Sequence, residues 1–305
     1  MPVPRKLVFA LSFALLLSGC RQNRPATPAT GSPAAAATAP VKTYPIRGKI
    51  VSVNGANVML DHEAVPGFMD AMTMSYKLKD PAIVSELHPG DRITATLLVS
   101  QDADGFNTVL LDKIVVIAQA KPDYKPAVQY HVPQPGDTVP DFKLVNQSSR
   151  EIHLSQFQGK VLLVTFIYTR CPLAEFCPRM SRNFADVDKA LAGDPVLYAR
   201  THLLSISFDP TYDTPKVLRS YGEAYVGHLT KDTFAHWDFA APQEDNLAAL
   251  TQFFNVGVTL GDGQSINHSL STVLIGKDGK VAAWYSSNDW LPTDVVQQVR
   301  QAAAA

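Results

Sequence analysis

The sequence predicts a multi-domain protein in which a small all-β barrel is followed by an α/β domain. Short stretches of alternating polarity separated by turn residues fill residues 43–118, which is typical of a small barrel. Buried-type strands alternate with helical patterns over residues 136–302, which is typical of a mixed sheet with helices on its faces. A Pro-rich linker over residues 119–135 joins the two domains.

The N-terminus has the anatomy of a bacterial lipoprotein signal peptide, residues 1–20. Basic Arg5 and Lys6 precede an apolar run that ends in Leu17-Ser18-Gly19-Cys20, the form of a lipobox. The apolar run is shorter than the ~20 residues that span a bilayer. We therefore expect lipidation at Cys20, attachment to the membrane through that lipid, and a bacterial cell-envelope protein that faces the periplasm.

Residues 21–42 are rich in Ala, Pro and Thr and contain few large apolar residues, so they predict a disordered linker. The formal net charge of the whole chain is −1, and its basic residues are not gathered in a run. This charge pattern excludes nucleic acid as an expected partner.

The barrel is predicted from five strands. Four of them alternate clearly, and the fifth is a methionine-containing stretch. The alternating strands are Tyr44–Val51, Asn57–Leu60, Asp91–Val99 and Thr108–Val116, with turns at Asn54-Gly55, Pro89-Gly90 and Asp104-Gly105.

The α/β domain is predicted around a continuous apolar run, Val161–Tyr168, which is typical of a strand buried on both faces. The other elements predicted are a second buried strand, three helices and a hairpin: His202–Phe208, Pro178–Leu191, Thr214–Tyr225, Glu244–Phe254 and Ser271–Tyr285.

Cys171 and Cys177 are the two thiols that remain once Cys20 is assigned to lipid. A disulfide closing so short a loop stabilises little, so the pair is predicted to be redox-active, metal-binding or both. The cysteines follow a central strand and precede a helix, where open α/β sheets place their chemistry. Pro178 favours a helix start beside Cys177, and the helix dipole predicts that Cys177 is the more acidic thiol.

Several motifs in a fixed order resemble the Sco/SenC family over residues 133–302. They are Gly159–Phe166, Cys171-Pro172, Cys177-Pro178, Asp209-Pro210 with Asp213-Thr214-Pro215, and His268-Ser269 before Val273–Gly279. The resemblance implies a thioredoxin-like fold and copper bound by Cys171, Cys177 and His268. It also implies a role in assembling the Cu(A) centre of cytochrome c oxidase, whose subunit II or another copper acceptor would be the partner.

The spacing of the cysteines departs from the family motif, which has three residues between them where this chain has five. Positions i and i+6 of a helix are separated by about 240°, so Cys171 is expected to lie in the preceding loop and fold back. Glu175, inside this loop, is expected to face solvent because a hard carboxylate suits Cu(I) poorly. Asp209 matches an acidic family position, where it either supports the site or serves as a turn residue before Pro210.

The segment from Asp61 to Met74 brings methionines and a histidine into the barrel. Met72 and Met74 lie two residues apart, so on a strand both thioethers share one face, and thioethers with the imidazole of His62 form a soft ligand set. Packing in the barrel core is the alternative.

This segment resembles the periplasmic CusF-like copper-binding domains, which have a small OB-like barrel. The resemblance implies copper ligands at His62, Met72 and Met74. The tryptophan that caps copper in that family has no counterpart here. Its place falls near Met69, which is expected either to add a thioether ligand or to pack in the core.

Two soft-metal sites on one exported chain predict a metallochaperone for copper, as Cu(I), Cu(II) or both, that relays the metal from one domain to the other. The alternatives are a thiol-disulfide oxidoreductase that acts on acceptor cysteines and a periplasmic copper resistance or buffering protein. The chain is expected not to be an enzyme unless the cysteine pair acts as a thiol-disulfide reductase. If the pair is oxidised, a periplasmic thiol reductase is a further expected partner.

Overall fold

The computed structural model of the 305-residue chain describes residues 41–101, 107–125, 128–227, 233–260 and 266–305. The predictions for Cys20, the signal peptide and nearly all of the 21–42 linker lie outside the described residues, as does the turn at Asp104-Gly105. Within the described ranges, every helix is too short or too polar to cross a bilayer.

The N-terminal domain is a ring of five strands, as the alternating sequence predicted. Neighbours pair in the order β1-β2-β3-β5-β4, and β4 pairs back with β1. The β3–β5 pairing is short and parallel, whereas the other pairings are antiparallel. The strands are β1 (Lys42–Asn54), β2 (Asn57–His62), β3 (Met72–Leu78), β4 (Arg92–Gln101) and β5 (Asn107–Ala118).

The C-terminal domain is a seven-stranded mixed sheet with helices, which confirms the predicted α/β thioredoxin-like class. The first elements are β6 (Lys143–Asn146), β7 (Glu151–His153), β8 (Val161–Ile167), α1 (Cys177–Ala192), α2 (Pro195–Ala199), β9 (Thr201–Ser207) and α3 (Pro215–Glu223). The remaining elements are β10 (Trp237–Pro242), α4 (Glu244–Phe253), β11 (Val258–Leu260), β12 (Ile266–His268), β13 (Thr272–Ile275), β14 (Val281–Tyr285) and α5 (Pro292–Ala304).

The sheet has the order β14-β13-β8-β9-β10-β6-β7, with β8, β9 and β10 parallel to one another. Every residue of β8 and β9 is buried, in agreement with the continuous apolar runs that predicted them. Helices α1 and α5 contact each other and β8, while α3 and α4 contact β10. The loop after β8 and the start of α1 therefore lie at the carboxyl edge of the central parallel strands, where such sheets place their chemistry.

Residues 39–305 form one compact unit, so the two domains are packed against each other. Strand β3 of the barrel contacts the β11–β12 ribbon. A Cβ atom at Gly257, just before β11, would lie 3.1 Å from the backbone oxygen of Thr73, so glycine permits this close approach. Away from the ribbon, the Ser286 hydroxyl donates a hydrogen bond to the Asn57 side chain at 3.1 Å.

Candidate metal centre

Three side chains from separate segments of the α/β domain converge at the carboxyl edge of β8. Cys171 lies in the loop after β8, Cys177 is the first residue of α1, and His268 is the last residue of β12. Their ligand atoms all lie within 4.8 Å of one another, and both thiols are free. The loop thus folds back as expected from the five-residue spacing, and the wider spacing does not separate the thiols.

His268 presents an unprotonated nitrogen to the cysteines. Its Nδ1 lies 2.9 Å from the backbone oxygen of Ser269, and because a carbonyl only accepts hydrogen bonds, Nδ1 carries the proton. The lone pair on Nε2 then faces Cys177 Sγ at 3.4 Å. This backbone contact fixes the tautomer and the ring orientation that a metal ligand requires.

Aromatic rings enclose the imidazole of His268. Its centroid lies 4.6 Å from that of Phe208 and 5.6 Å from those of Tyr168 and Phe176. Only 3% of the His268 surface is exposed, and Cys177 is fully buried. Cys171 is half-buried, so it is the member of the group that solvent reaches.

The two thiols differ in acidity, and the prediction that Cys177 is the more acidic was wrong. A hydrogen bond from the Cys177 thiol is the main cause that lowers the pKa of Cys171 to about 4. Burial raises the pKa of Cys177 well above its ordinary value. The start of α1 does favour a thiolate, but complete desolvation of Cys177 outweighs the helix dipole.

Two aspartates anchor the segment that leads into Cys171. Arg170 donates a hydrogen bond from Nε to Asp209 at 2.9 Å, and its guanidinium lies over the Tyr212 ring. Asp213, 1% exposed, accepts hydrogen bonds from the backbone and hydroxyl of Thr169 and from Ser207. Burial raises the pKa of Asp213.

Asp209 thus contacts the residue before Cys171 instead of the thiols themselves. Its backbone oxygen also accepts the N–H groups of Tyr212 and Asp213, so it serves the turn as well. Asp213 was not predicted as an anchor, although it stands in the Asp213-Thr214-Pro215 motif. Glu175 is half-buried, and in the described part of the chain the group of possible metal ligands at this place consists of the two cysteines and His268.

In the barrel, His62 and the two methionines of β3 share one face of the sheet. His62 pairs directly with Met72 across β2 and β3, and Met74, two residues on, pairs with Leu60. His62, Met72 and Met74 are all buried. The predicted side-by-side placement of the thioethers is therefore present, although they also pack with the barrel core.

The imidazole of His62 is oriented in the same manner as that of His268. Its Nδ1 lies 2.7 Å from the backbone oxygen of Glu63, so Nδ1 carries the proton and Nε2 holds the lone pair. Nε2 is buried and has no hydrogen-bond partner among the residues that the structure describes. Burial lowers the pKa of His62, so its imidazole is neutral. A buried, unpartnered nitrogen beside two thioethers is a fit for a soft metal ion.

Met69 lies in the loop before β3. Its sulfur accepts a hydrogen bond from the Tyr76 hydroxyl at 3.3 Å, and the Tyr76 ring lies edge-on to His62 with centroids 5.6 Å apart. The side chain is half-buried, whereas those of Met72 and Met74 are buried. Met69 therefore lies beside His62, Met72 and Met74 on the side that is more exposed to solvent.

A cleft of about 550 Å³ lies between the barrel and the α/β domain. The side chains of Met69, Met72 and Met74 line one wall, and Pro172 and Phe176 from the cysteine loop line the other. No local sequence pattern predicts this cleft, because it arises from the packing of two domains whose contact residues are distant in the chain.

Comparison with known proteins gives matches to both domains. Residues 131–304 match the protein-family model described as SCO1/SenC. Residues 43–111 match the model described as copper binding periplasmic protein CusF.

Two relatives match part of the chain at the level of sequence. The SCO1 protein homolog of Bacillus subtilis is 28% identical over 169 residues, which cover 54% of this chain and 82% of the relative. The SCO2-like protein of Rickettsia typhi is 24% identical over 145 residues, which cover 46% of this chain and 65% of the relative.

Solved structures with similar architecture include a SCO1/SenC family lipoprotein from Bacillus anthracis, at 24% identity and a TM-score of 0.48. It covers 56% of this chain and 99% of that protein. Bradyrhizobium japonicum ScoI with copper bound has 19% identity and a TM-score of 0.45, covering 54% of this chain and 99% of that protein.

Proposed function

Since the chain belongs to the SCO1/SenC family, we propose that it is a metallochaperone that carries Cu(I) as its cargo. The observation that carries this proposal is the convergence of Cys171, Cys177 and His268 within 4.8 Å, with the lone pair of His268 Nε2 aimed at the thiols. Two thiolates and a neutral imidazole suit Cu(I) better than hard cations.

The protein's own residues divide the work at this site. Cys171 is half-buried and acidic, so it provides a thiolate that meets copper first. Cys177 and His268 are buried behind it and complete the ligand set as Cys177 loses its proton to water. Release occurs in reverse, through the exposed side of Cys171, to the cysteines of an acceptor such as cytochrome c oxidase subunit II.

The barrel is proposed as a second copper site, with His62, Met72 and Met74 as ligands. Support comes from the buried, unpartnered Nε2 of His62 beside Met72 and from the match to the CusF model. Thioethers have no proton to lose, so such a site holds Cu(I) whether or not the thiols are reduced.

The proposed location is the periplasmic side of the bacterial envelope, with Cys20 lipidated and residues 21–42 as the linker to the folded domains. The periplasm is an oxidising compartment, so free thiols there must be kept reduced, and a periplasmic thiol reductase is therefore a proposed partner. Copper transferred at the membrane surface reaches acceptors that are themselves membrane-bound.

The test is copper stoichiometry under anaerobic, reducing conditions, combined with X-ray absorption at the copper edge. We expect two Cu(I) per chain in the wild type. The Cys171→Ser/Cys177→Ser variant should retain one copper with thioether ligands, and Met72→Leu/Met74→Leu one with thiolate ligands. Met59→Leu/Met180→Leu is the matched control and should retain two. A wild-type count of zero overturns the proposal.

Delivery is tested with the metal-free copper domain of oxidase subunit II as acceptor. Copper should move from the loaded chain to the acceptor, and a deletion strain should lose oxidase activity. If the deletion leaves oxidase activity intact and increases copper sensitivity, the protein is instead a copper buffer.

A thiol-disulfide oxidoreductase is the second candidate, favoured by the low pKa of Cys171 beside a second free thiol. His268→Ala separates the two functions. It should weaken copper binding strongly, whereas exchange with a disulfide substrate needs only the two thiols. If His268→Ala binds copper as the wild type does, and Cys171→Ser/Cys177→Ser abolishes exchange with a disulfide substrate, the oxidoreductase is favoured.

A further inference from the structure

The methionines of the barrel and the loop that carries the cysteines border the same cleft. The barrel contributes the thioethers of Met69, Met72 and Met74 to one wall of the 550 Å³ cleft. The α/β domain contributes Phe176, which directly precedes Cys177, to the other. Copper leaving the methionines therefore enters a cleft whose opposite wall is formed by the cysteine loop.

Phe176 lies at the boundary between this cleft and the cysteine site. It packs with the hydrophobic clusters of both domains, and its ring lies edge-on to His268 with centroids 5.6 Å apart. Phe176 lines the cleft, whereas Cys177 and His268 do not. The Phe176 ring makes no side-chain hydrogen bond, so turning it aside breaks only apolar contacts.

Met69 is the most accessible of the three barrel thioethers. It is half-buried, and one hydrogen bond, from the Tyr76 hydroxyl at 3.3 Å, holds its sulfur. A hydrogen bond to a thioether is weak, so the sulfur is readily freed for a soft metal ion. Its position suits a ligand that copper meets between the buried site and the cleft.

We propose that Cu(I) passes directly between the two sites through this cleft, with Met69 as a transient ligand and Phe176 as the gate. The proposal rests on the proposed function, because it requires both sites to bind copper. Bonds from copper to the sulfurs of Met72 and Met74 and to His62 Nε2 break. Bonds to both cysteine sulfurs and to His268 Nε2 form, and displaced thiol protons go to water. Copper remains Cu(I), so no electron is transferred.

The experiment is a partition measurement on the full chain. The two cysteines are oxidised to their mutual disulfide, the barrel is loaded with one Cu(I), and a phosphine reductant is added together with a water-soluble Cu(I) chelator. Neighbouring sites on one chain experience an effective concentration of about millimolar. Wild-type protein should therefore transfer most of its copper to the thiolates at micromolar chelator, and a tenfold increase in chelator should change this little.

Met69→Leu and Phe176→Trp are the test variants. Met69→Leu removes the transient thioether ligand, and Phe176→Trp places a larger ring between the cleft and the cysteine site. Each should increase the share captured by chelator at least about threefold, because slower internal transfer allows escape to solvent. Met59→Leu, a buried barrel methionine outside the cleft lining, is the matched control and should behave as wild type.

Single-site variants mixed in trans define transfer through solvent. They are Cys171→Ser/Cys177→Ser loaded with copper and metal-free Met72→Leu/Met74→Leu. If wild-type protein loses as much copper to chelator as this mixture does, the direct route is wrong. Copper counts on the same samples distinguish the two proposals. If the wild type binds two copper ions per chain but loses copper to the chelator as the mixture does, only the direct route is wrong. If the chain binds no copper, the proposed function is wrong.

Discussion

His268 Nε2 lies 3.4 Å from Cys177 Sγ, with both residues buried, and it points there because Nδ1 donates to the backbone oxygen of Ser269. His62 uses the same device in the barrel, where Nδ1 donates to the oxygen of Glu63. In both domains a histidine thus hydrogen bonds the next residue's carbonyl and keeps Nε2 free for a metal. This shared orientation is independent of the domains' unrelated folds.

The first prediction concerns thiol reactivity in the reduced, metal-free protein. At pH 6, iodoacetamide should modify Cys171 rapidly and Cys177 only after unfolding, since Cys171 has a pKa of about 4 and the Cys177 thiol is buried with a raised pKa. Mass spectrometry of the labelled peptides measures the order.

Cys177→Ala removes the largest cause of this low pKa, the hydrogen bond from the Cys177 thiol. The Cys171 pKa should then rise toward that of an ordinary thiol, so its labelling at pH 6 should slow by about tenfold or more. Modification of Cys177 ahead of Cys171 in the native wild type would contradict this assignment.

The second prediction concerns the pH dependence of copper binding by the barrel. Protons compete with copper for His62 Nε2, and burial lowers the His62 pKa from 6.5. Copper affinity should therefore be nearly constant from pH 8 down to about 6.5. It should decrease only as the pH falls through the lowered pKa, where the imidazole becomes protonated.

Chelator competition on the Cys171→Ser/Cys177→Ser variant measures this affinity, with correction for protonation of the chelator. His62→Ala provides the control, because thioethers do not titrate and its weaker binding should lose the pH dependence. A tenfold decrease in affinity between pH 8 and pH 7 would show that another group controls the site.

The fold class could be predicted because it depends on local patterns, whereas the group of Cys171, Cys177 and His268 was implied by the resemblance to the Sco/SenC family. Apolar runs marked β8 and β9, and the cysteines followed β8 directly. Strand β10, Trp237–Pro242, was not predicted, because Asp238 and Pro242 interrupt its apolar pattern. Asp238 is nevertheless buried in β10, because its carboxylate accepts hydrogen bonds from Asn146, Gln147 and His202, which are distant in the chain.

The acidity of the two thiols could not be predicted for a similar reason. The helix start is a local signal and pointed to Cys177, but the burial that opposes it comes from packing with residues distant in the chain, such as His268, whose Nε2 lies 3.4 Å from Cys177 Sγ. The interdomain cleft likewise lies between residues that are distant in the chain, such as Met72 and Pro172.

The third prediction concerns Asp213 as the anchor of the segment after β8. Asp213→Ala leaves the backbone and hydroxyl of Thr169 and the hydroxyl of Ser207 without their acceptor. Buried donors left unpaired cost about 1–3 kcal/mol each, so the free energy of unfolding should decrease by at least ~2 kcal/mol. Urea unfolding measures the change. Asp186→Ala, at an exposed position of α1, should change it by less than ~0.5 kcal/mol.

The native state holds the Asp213 proton more tightly than the unfolded chain, because burial raises its pKa. Protonation of Asp213 therefore stabilises the folded wild type most at pH values below the ordinary aspartate pKa. This stabilisation is lost as the pH rises through the raised pKa. The stability difference between wild type and Asp213→Ala should accordingly grow as pH is lowered through the raised pKa toward the ordinary aspartate pKa of 3.8. A difference that shrinks over this range would mean that the carboxylate, not the acid, is the stabilising form.

The fourth prediction concerns Asp209, for which the sequence left open a role at the site or in a turn. Its carboxylate holds Arg170 at 2.9 Å in a largely buried pair, and Arg170 precedes Cys171. Asp209→Ala should make the loop that contains Arg170 and Cys171 more mobile. Copper binding would then have to order this loop, which lowers the copper affinity. Losing a charged hydrogen bond costs about 1.5–3 kcal/mol, so copper affinity at the cysteine site should fall roughly tenfold or more.

Asp209→Ala is best measured in the Met72→Leu/Met74→Leu background, where the barrel does not compete for copper. Asp209→Asn should recover part of the affinity, because its amide oxygen still accepts a hydrogen bond from Arg170. Glu223→Ala breaks the exposed pair with Arg219 and should leave copper affinity unchanged, since surface ion pairs contribute little. If Asp209→Ala lowers the stability of the fold but leaves copper affinity as in wild type, Asp209 is a turn residue. A positioning role requires stability and copper affinity to decrease together.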